Sequence, residues 1–375
     1  MRPRAAIVML VPIALVLASC GDDDDSDGSA AAVDPVVASE PFPADRCETN
    51  KAAGTISYLS GFDFAAAASI IEVLIADERG YYDDLCLDVK LTPSFSTTNL
   101  PLVASNQAQF SSAGSFAELV SFADANDSDL VALSVDGHTP IDVLMLHPEQ
   151  AESLADLAGA TIGIKGALPP AVAVMLKQEA NLTEGKDYAT VPVDGFDPVA
   201  HWALPNLAGI PGWRSNEPGT LERAGLKFDL YDPADYDIPG SFGLIYTNRG
   251  FLDQHPTVVE DFMRATMRGL ADAIADPAAA ADVAVARING NGNPNFLSPE
   301  GETFRWATDA QTIVATTPAG YNVGVPVGDE MQSQLDAYAK VDYWGGKAAP
   351  AAAGRFDPDL VANLYADDGT VIWPG

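Results

Sequence analysis

Two short loops combine aromatic rings with carboxylates or amides, and these are the places where the sequence could do chemistry. The first holds Phe62, Asp63 and Phe64, and the second holds Trp213, Asn216 and Glu217. An aromatic ring can stack on a flat ligand, while amides and carboxylates pair with ring nitrogens and exocyclic amines. These residue types therefore predict a binding site for a small heteroaromatic compound.

Further candidates lie in loops next to predicted strands and helices. Lys165 comes between a strand and a helix N-terminus, whose free N–H groups suit an acceptor. Ser115 and Glu118 have capping-box spacing, so we expect Glu118 to serve its helix. The remaining candidates share a polar or aromatic side chain in such a loop: Thr98, Asn99, Ser115, His138 and Phe196.

Motifs of known catalytic or metal sites are missing from the sequence. There is no G-x-G-x-x-G after a strand, no Walker loop, no H-E-x-x-H and no G-x-S-x-G, and the four histidines lack metal-ligand spacing. We therefore predict a protein that is not an enzyme and has no cofactor or metal. Two other classes stay open: an exported enzyme with Asp63 and Glu217 as paired acid and base, and a structural surface lipoprotein without a cleft.

The N-terminus has the features of an export signal. Arg2 and Arg4 precede an apolar run at 5–18, and Leu-Ala-Ser-Cys at 17–20 resembles a bacterial lipobox. We expect residues 1–20 to be a lipoprotein signal peptide and Cys20 to be lipidated, with an ordinary signal peptide as the alternative. An acidic tether would follow at 21–50. The protein is thus predicted to be extracytoplasmic and anchored to the cell membrane, in the periplasm or at the cell surface.

The charge and the hydrophobic content exclude one class of ligand and indicate a folded domain. The chain has 53 acidic and 20 basic residues, a formal net charge of −33, so it would repel phosphate backbones and is not expected to bind nucleic acid. The hydrophobic content of 47% is ample for a core.

In an oxidising compartment Cys47 and Cys86, each just before a predicted strand, are expected to form a disulfide.

Strand and helix patterns alternate along the mature chain and predict an α/β fold with two lobes. Lobe 1 is assigned to 51–142 and 246–375, and lobe 2 to 143–245. Strands are expected at 55–59, 87–91, 109–112, 130–135, 141–146, 160–164, 189–193 and 242–246. Helices are expected at 65–79, 115–125, 169–180, 256–274, 278–287, 299–314, 329–341 and 358–365.

Several segments together resemble a known family. They are the stretch 56–99 with its Gly80-Tyr81-Tyr82 turn, Leu-Ala-Asp-Leu-Ala-Gly at 154–159, Ser-Asn-Glu-Pro at 215–218, and the helix at 262–269 followed by Asp276-Pro277. The pattern resembles substrate-binding proteins of ABC importers, in the taurine, nitrate and thiamine-pyrimidine-precursor branch. The resemblance covers about residues 55–290.

The resemblance implies a fold, a function and partners. The fold would be the type II periplasmic-binding-protein fold, with mixed sheets and a hinge. The chain would be a monomeric solute-binding component that serves an ABC permease and ATPase, with a ligand such as a thiamine pyrimidine precursor. The branch often has Trp-x-Pro-Asn where this chain has Ser60-Gly61-Phe62-Asp63. A flavin or another vitamin therefore stays open, and a sulfonate or nitrate is disfavoured by the carboxylates.

Overall fold

Two five-stranded mixed sheets organise the computed structural model, which describes residues 33–195, 197–290 and 298–375. The predicted lipidation site Cys20 and the candidate Phe196 lie outside these residues. The strands are β1 (Thr55–Leu59), β2 (Asp88–Thr92), β3 (Phe110–Ala113), β4 (Leu130–Gly137), β5 (Asp142–Leu146), β6 (Thr161–Ile164), β7 (Ala189–Pro192), β8 (Gly209–Trp213), β9 (Asp229–Tyr231) and β10 (Phe242–Asn248).

Helices pack on both sheets, as expected for an α/β fold. They are α1 (Ala44–Ala52), α2 (Ile71–Glu78), α3 (Tyr81–Asp84), α4 (Ser96–Ala104), α5 (Phe116–Asn126), α6 (Pro170–Ala180), α7 (Pro198–Trp202), α8 (Glu217–Arg223), α9 (Arg249–Gln254), α10 (Pro256–Ala275), α11 (Pro277–Gly290), α12 (Pro299–Thr316) and α13 (Gly328–Ala339). In the described part of the chain, no helix is both long and apolar enough to span a membrane.

Sheet 1 has the order β2-β1-β3-β10-β4, and sheet 2 has the order β7-β6-β8-β5-β9. In sheet 1, β1 runs parallel to β2 and β3, whereas β10 is antiparallel to β3 and β4. In sheet 2, β6 is parallel to β7 and β8, whereas β5 is antiparallel to β8 and β9. Strand β10 begins at Phe242 and belongs to sheet 1. Residues 242–245, which are assigned to lobe 2 from the sequence, therefore lie in sheet 1.

The main core surrounds α2 and α10. Phe110 of β3 stacks on Phe262 of α10 with ring centroids 3.9 Å apart. The two helices approach so closely that a Cβ on Gly269 would lie 2.1 Å from the carbonyl oxygen of Glu72. Only glycine fits at such a contact. A second core packs α5, α6 and α13 around sheet 2 and the far side of sheet 1.

The N-terminal helix α1 is part of the folded domain. Arg46 donates a hydrogen bond to Asp261 of α10 over 2.6 Å, and a disulfide joins Cys47 to Cys86 with a Cα separation of 5.3 Å. The disulfide predicted from export is therefore present. Residues 44–50, by contrast, are assigned to the tether from the sequence, and the structure corrects this, because the buried side chains of Arg46 and Asn50 both donate to Asp261 of α10.

Candidate functional site

Two adjoining cavities lie where loops of the two sheets face each other. The first, the sheet 1 cavity, has a volume of about 240 Å³ and is lined mainly by the ends of β1, β3 and β10 and the segment 67–70. The second, the sheet 2 cavity, has a volume of about 210 Å³ and is lined mainly by residues of β5, β8 and the start of α8. Phe62, Ala67 and Trp213 line both. We call the two cavities together the cleft.

Trp213 presents an aromatic ring to both cavities. It is the last residue of β8, and its side chain is 37% exposed. Its backbone N–H donates to Oε2 of Glu217 over 2.8 Å, and its carbonyl accepts from the N–H of Asn216 over 2.8 Å. The tight turn after β8 therefore holds the indole ring at the boundary of the two cavities.

Phe62 faces the cleft from the loop after β1. Its ring packs edge-on against Phe95 with a centroid distance of 5.7 Å. Phe95 is 40% exposed and lines the sheet 1 cavity. Phe62, Phe95 and Trp213 all line the sheet 1 cavity and provide stacking surfaces for a flat ligand.

Lys165 and Glu217 form an ion pair in the wall of the sheet 2 cavity. Nζ of Lys165 lies 2.6 Å from Oε1 of Glu217, whose side chain is almost fully buried. Both oxygens of Glu217 are thus engaged, one by Lys165 and one by the Trp213 N–H. A buried carboxylate needs such partners to offset its desolvation. Glu217 therefore positions Trp213 and Lys165 rather than offering a free acceptor.

Helix α12 contributes charged residues that sequence reasoning missed. Arg305 lines the sheet 2 cavity, Asp309 lines the sheet 1 cavity, and Glu302 forms an ion pair with Arg305 over 2.6 Å. All three side chains are buried, because they lie on the inward face of the helix that also carries Trp306 and Ile313. Their spacing of i, i+3 and i+7 within an apolar helical face was a signal in the sequence that could have revealed them.

Two carboxyl groups in the cleft wall titrate near neutral pH. Desolvation raises the pKa of Asp142 to about 7, and the nearby carboxylates of Glu217 and Glu118 add to the rise. Burial likewise raises the pKa of Asp309 to about 6. The cleft is therefore an acidic, largely apolar environment in which a hydrogen-bond-donating ligand finds acceptors.

The structure brings five of the predicted site residues together at the cleft and places six others elsewhere. Phe62, Lys165, Trp213, Asn216 and Glu217 line the cavities. Phe196 lies outside the described residues.

Three of the six predicted residues that do not line the cavities are buried. Asp63 is 7% exposed, and its Oδ1 accepts from the N–H of Phe64. Phe64 packs into the main core. The ring of His138 is buried and its Nδ1 lies 2.6 Å from Oε2 of Glu330.

The other three serve local structure around α4 and α5. Thr98 is exposed on α4, because the residues around it form the first turn of that helix and not the predicted loop. Asn99 is buried and donates to the carbonyl of Ser60 and to Oγ of Ser111. Ser115 caps α5 by accepting from the N–H of Glu118, which supports the capping role. We therefore keep none of these three in the site.

Comparison with known proteins decides the family. The family model described as NMT1/THI5 like matches residues 67–280, more than half of the chain. The protein belongs to the NMT1/THI5-like family. The matched region contains β2 to β10 and most of the residues that line the cleft, whereas β1 precedes it and Arg305 and Asp309 come after it.

Relatives of this NMT1/THI5-like protein differ in what their names say they bind. The riboflavin-binding protein RibY of Chloroflexus aurantiacus is 32% identical over 138 residues, covering 36% of this chain and 38% of that protein, so the match spans well under two thirds of its length.

Solved structures share the fold at low identity. The periplasmic aliphatic sulphonate-binding protein SsuA of Escherichia coli is 12% identical, with a TM-score of 0.60 over 81% of this chain and 92% of that one. The desulfurization enzyme DSZB is 14% identical, with a TM-score of 0.57 over 82% of this chain and 98% of that one. At these identities the likeness establishes the periplasmic-binding-protein fold alone.

Proposed function

We propose that this protein is the extracytoplasmic solute-binding component of an ABC importer and that its ligand is a small heteroaromatic compound. Membership of the NMT1/THI5-like family and the fold of periplasmic binding proteins support the transport role. The observation that carries the ligand class is the position of Trp213, which lines both cavities beside Phe62. Two lobes that close by a hinge would bring these rings onto the two faces of one flat ligand.

A thiamine pyrimidine precursor is the ligand we favour. A single substituted ring is small enough for either cavity, and its exocyclic amine and ring nitrogens match the polar groups beside Trp213. Asn216 offers an amide, Asp142 an acceptor and Lys165 a donor in the wall of the sheet 2 cavity. Stacking on one aromatic side chain is worth about 1–3 kcal/mol per ring.

A flavin is the second candidate, because the match to a riboflavin-binding protein is a specific observation in its favour. A three-ring compound would need both cavities, and these adjoin along Phe62 and Trp213. A sulfonate or nitrate is disfavoured because the lining cations, Lys165 and Arg305, are already paired with Glu217 and Glu302.

The two other classes receive less support. An enzyme with Asp63 and Glu217 as acid and base needs both carboxylates at one bond, but Asp63 does not line the cleft. A desulfurization enzyme shares the fold, so fold alone does not decide this point. A structural lipoprotein without a ligand gives no reason for cavities of about 240 and 210 Å³ lined by exposed aromatic rings.

Location and partners follow from the transport role. We propose that the mature chain is a monomer held at the membrane by lipidated Cys20, where it would deliver its ligand to a permease driven by an ATPase. Two acyl chains, rather than the acidic surface, would provide stable membrane affinity.

Calorimetric titration of the purified protein tests the proposed ligand class. The panel is 4-amino-5-hydroxymethyl-2-methylpyrimidine, riboflavin, an alkanesulfonate and nitrate. We expect one of the two heteroaromatic compounds to bind at one per chain with micromolar or tighter affinity, and the anions to bind far more weakly. Tight binding of only the sulfonate or nitrate would contradict the proposal.

A further inference from the structure

The segment before α2, residues 65–70, borders the sheet 1 cavity, and all of its backbone N–H groups are engaged. Three of them donate to backbone carbonyls of the same segment or of Phe62. The other three donate to buried carboxylates: Ala66 to Glu302 over 2.6 Å, Ala68 to Asp309 over 3.1 Å, and Ser69 to Asp136 over 2.7 Å.

These three carboxylates come from elements that are distant in sequence. Glu302 and Asp309 belong to α12, and Asp136 belongs to β4. Unpaired N–H groups at the start of a helix attract anions, because they combine hydrogen-bond donors with the positive end of the helix dipole. Here the protein supplies the anions itself, so the donors that would otherwise hold a sulfonate, nitrate or phosphate are already used.

Asp309 is the member of this group that faces the cleft. Its side chain is only 2% exposed and lines the sheet 1 cavity together with Ala68 and Ser69. Among the described residues, the ionisable side chains that line the two cavities are four carboxyl groups and two cations: Glu118, Asp142, Glu217 and Asp309 against Lys165 and Arg305. An anionic ligand would therefore meet an acidic wall.

We propose that Asp309 makes the cleft select against anions, so that its ligand is a neutral or cationic hydrogen-bond donor. This inference rests on the proposed binding function and adds the charge class of the ligand. Asp309 would act as a specificity-determining residue at a position that the family model does not cover. Glu302 and Asp136 would complete the effect by holding the neighbouring N–H groups.

The protonation state of Asp309 agrees with this role. Burial raises its pKa to about 6, against the opposing influence of Ala68, Ser215, Arg305 and Arg214. The side chain is therefore mostly ionised at pH 7.5 and repels a second anion in a region of low dielectric constant.

Matched pairs of compounds that share a ring but differ in charge provide the test. One pair is 4-amino-5-hydroxymethyl-2-methylpyrimidine and its phosphate ester, and the other is riboflavin and its 5′-phosphate. We expect the phosphate ester of whichever ring binds to bind at least tenfold more weakly than the neutral compound at pH 7.5. The ratio should persist in 1 M NaCl, where the Debye length of about 3 Å removes long-range repulsion by the acidic surface.

The variant Asp309→Asn keeps an acceptor for the Ala68 N–H but removes the charge. We expect it to reduce the ratio at least fivefold, mainly by improving binding of the ester. Glu222→Gln, which removes one charge at an exposed position of α8, serves as the matched control and should leave the ratio unchanged.

The outcomes separate the two proposals. Equal affinity of the parent protein for both members of a pair, or a ratio that Asp309→Asn leaves unchanged, contradicts the role of Asp309 while the binding function stands. If none of the four compounds binds, the proposed heteroaromatic ligand class fails, and the inference fails with it. Because the parent protein alone gives the first ratio, a variant that does not fold leaves the test intact.

Discussion

Nη2 of Arg305 donates a hydrogen bond to Oδ1 of Asn216 over 3.1 Å, and this bond joins α12 to the start of α8. Nη1 of the same guanidinium binds Glu302, which in turn accepts from the N–H of Ala66 beside sheet 1. The guanidinium also lies 5.9 Å from the centroid of the Phe62 ring. One buried side chain therefore contacts both sides of the cleft.

Replacing Arg305 by lysine should weaken ligand binding about tenfold, because an ammonium group cannot hold Glu302 and Asn216 in the same planar geometry. If the bond to Asn216 helps to keep the cleft closed, the ligand-free variant should also have a larger radius of gyration by small-angle X-ray scattering. Arg223→Lys, a change at an exposed arginine of α8, is the control. Unchanged affinity and scattering in the Arg305 variant would show that the bridge does not matter.

Glu217 should behave as a positioning residue. Glu217→Gln keeps an acceptor for the Trp213 N–H but loses the charge that pairs with Lys165, whereas Glu217→Ala loses both contacts. We expect both variants to melt below the parent, and the alanine variant to lose more affinity than the glutamine variant. Titration and melting curves measure the two effects. Equal affinity losses with unchanged melting temperatures would instead mean that Glu217 contacts the ligand directly.

Stability should fall as pH rises from about 4 to about 7. Burial raises the pKa of Asp136 to about 7. Burial, together with the neighbouring carboxylate of Asp136, raises the pKa of Glu72 well above its usual range. Desolvation also raises the pKa of Asp142 to about 7. In the unfolded chain these groups titrate near pH 4. The folded protein thus binds more protons within this window, so the free energy of unfolding decreases by about 1.4 kcal/mol per unit of pKa difference for each group.

Urea unfolding at constant ionic strength measures this effect, and we expect a higher midpoint at pH 5 than at pH 8. Asp136→Asn should flatten the pH dependence, because its amide can still accept from the Ser69 N–H but does not titrate. Asp253→Asn, at an exposed position on α9, should leave it unchanged. A midpoint that rises from pH 5 to pH 8 would contradict the assigned pKa directions.

The disulfide should stabilise the attachment of α1. Cys47 and Cys86 are 39 residues apart, and a bridge that closes such a loop contributes on the order of 2–4 kcal/mol. Replacing both cysteines by alanine should lower the free energy of unfolding by about this amount. A reductant should then destabilise the parent but leave the double variant unchanged. If the reductant has no effect on the parent, the bridge carries little of the stability.

Local sequence patterns predicted most of the elements but not where polar groups from distant elements would meet. The strand at 55–59 and the helix at 256–274 agree with the structure to within a residue, because each has a clear apolar period and a start signal. The predicted helix at 65–79, however, begins only at Ile71. Its alanine-rich start favours a helix, but three of its N–H groups bind carboxylates from α12 and β4 instead.

Contacts between elements that are distant in sequence also limited the prediction of the site. Trp213 and Glu217 were predicted from the aromatic ring and the carboxylate in one loop, and Lys165 from its place between a strand and a helix N-terminus. The strand β8 itself was missed, since Gly-Ile-Pro-Gly-Trp has little β propensity and is held by its pairing with β5. The spacing of Arg305 and Asp309 within an apolar face of α12 indicates that they are buried, but only the packing of that helix determines which cavities they line.

The most direct test of the central claim is titration of Trp213→Ala with whichever heteroaromatic compound the parent protein binds best. The side chain is 37% exposed at the boundary of the two cavities, so its loss should remove stacking worth about 1–3 kcal/mol and leave the melting temperature nearly unchanged. Tyr321→Ala, which removes another exposed aromatic ring that does not line either cavity, is the control. The account predicts affinity about 5- to 150-fold weaker for Trp213→Ala and parent-like affinity for Tyr321→Ala. Parent-like affinity in the Trp213 variant would contradict the account and place the binding site elsewhere.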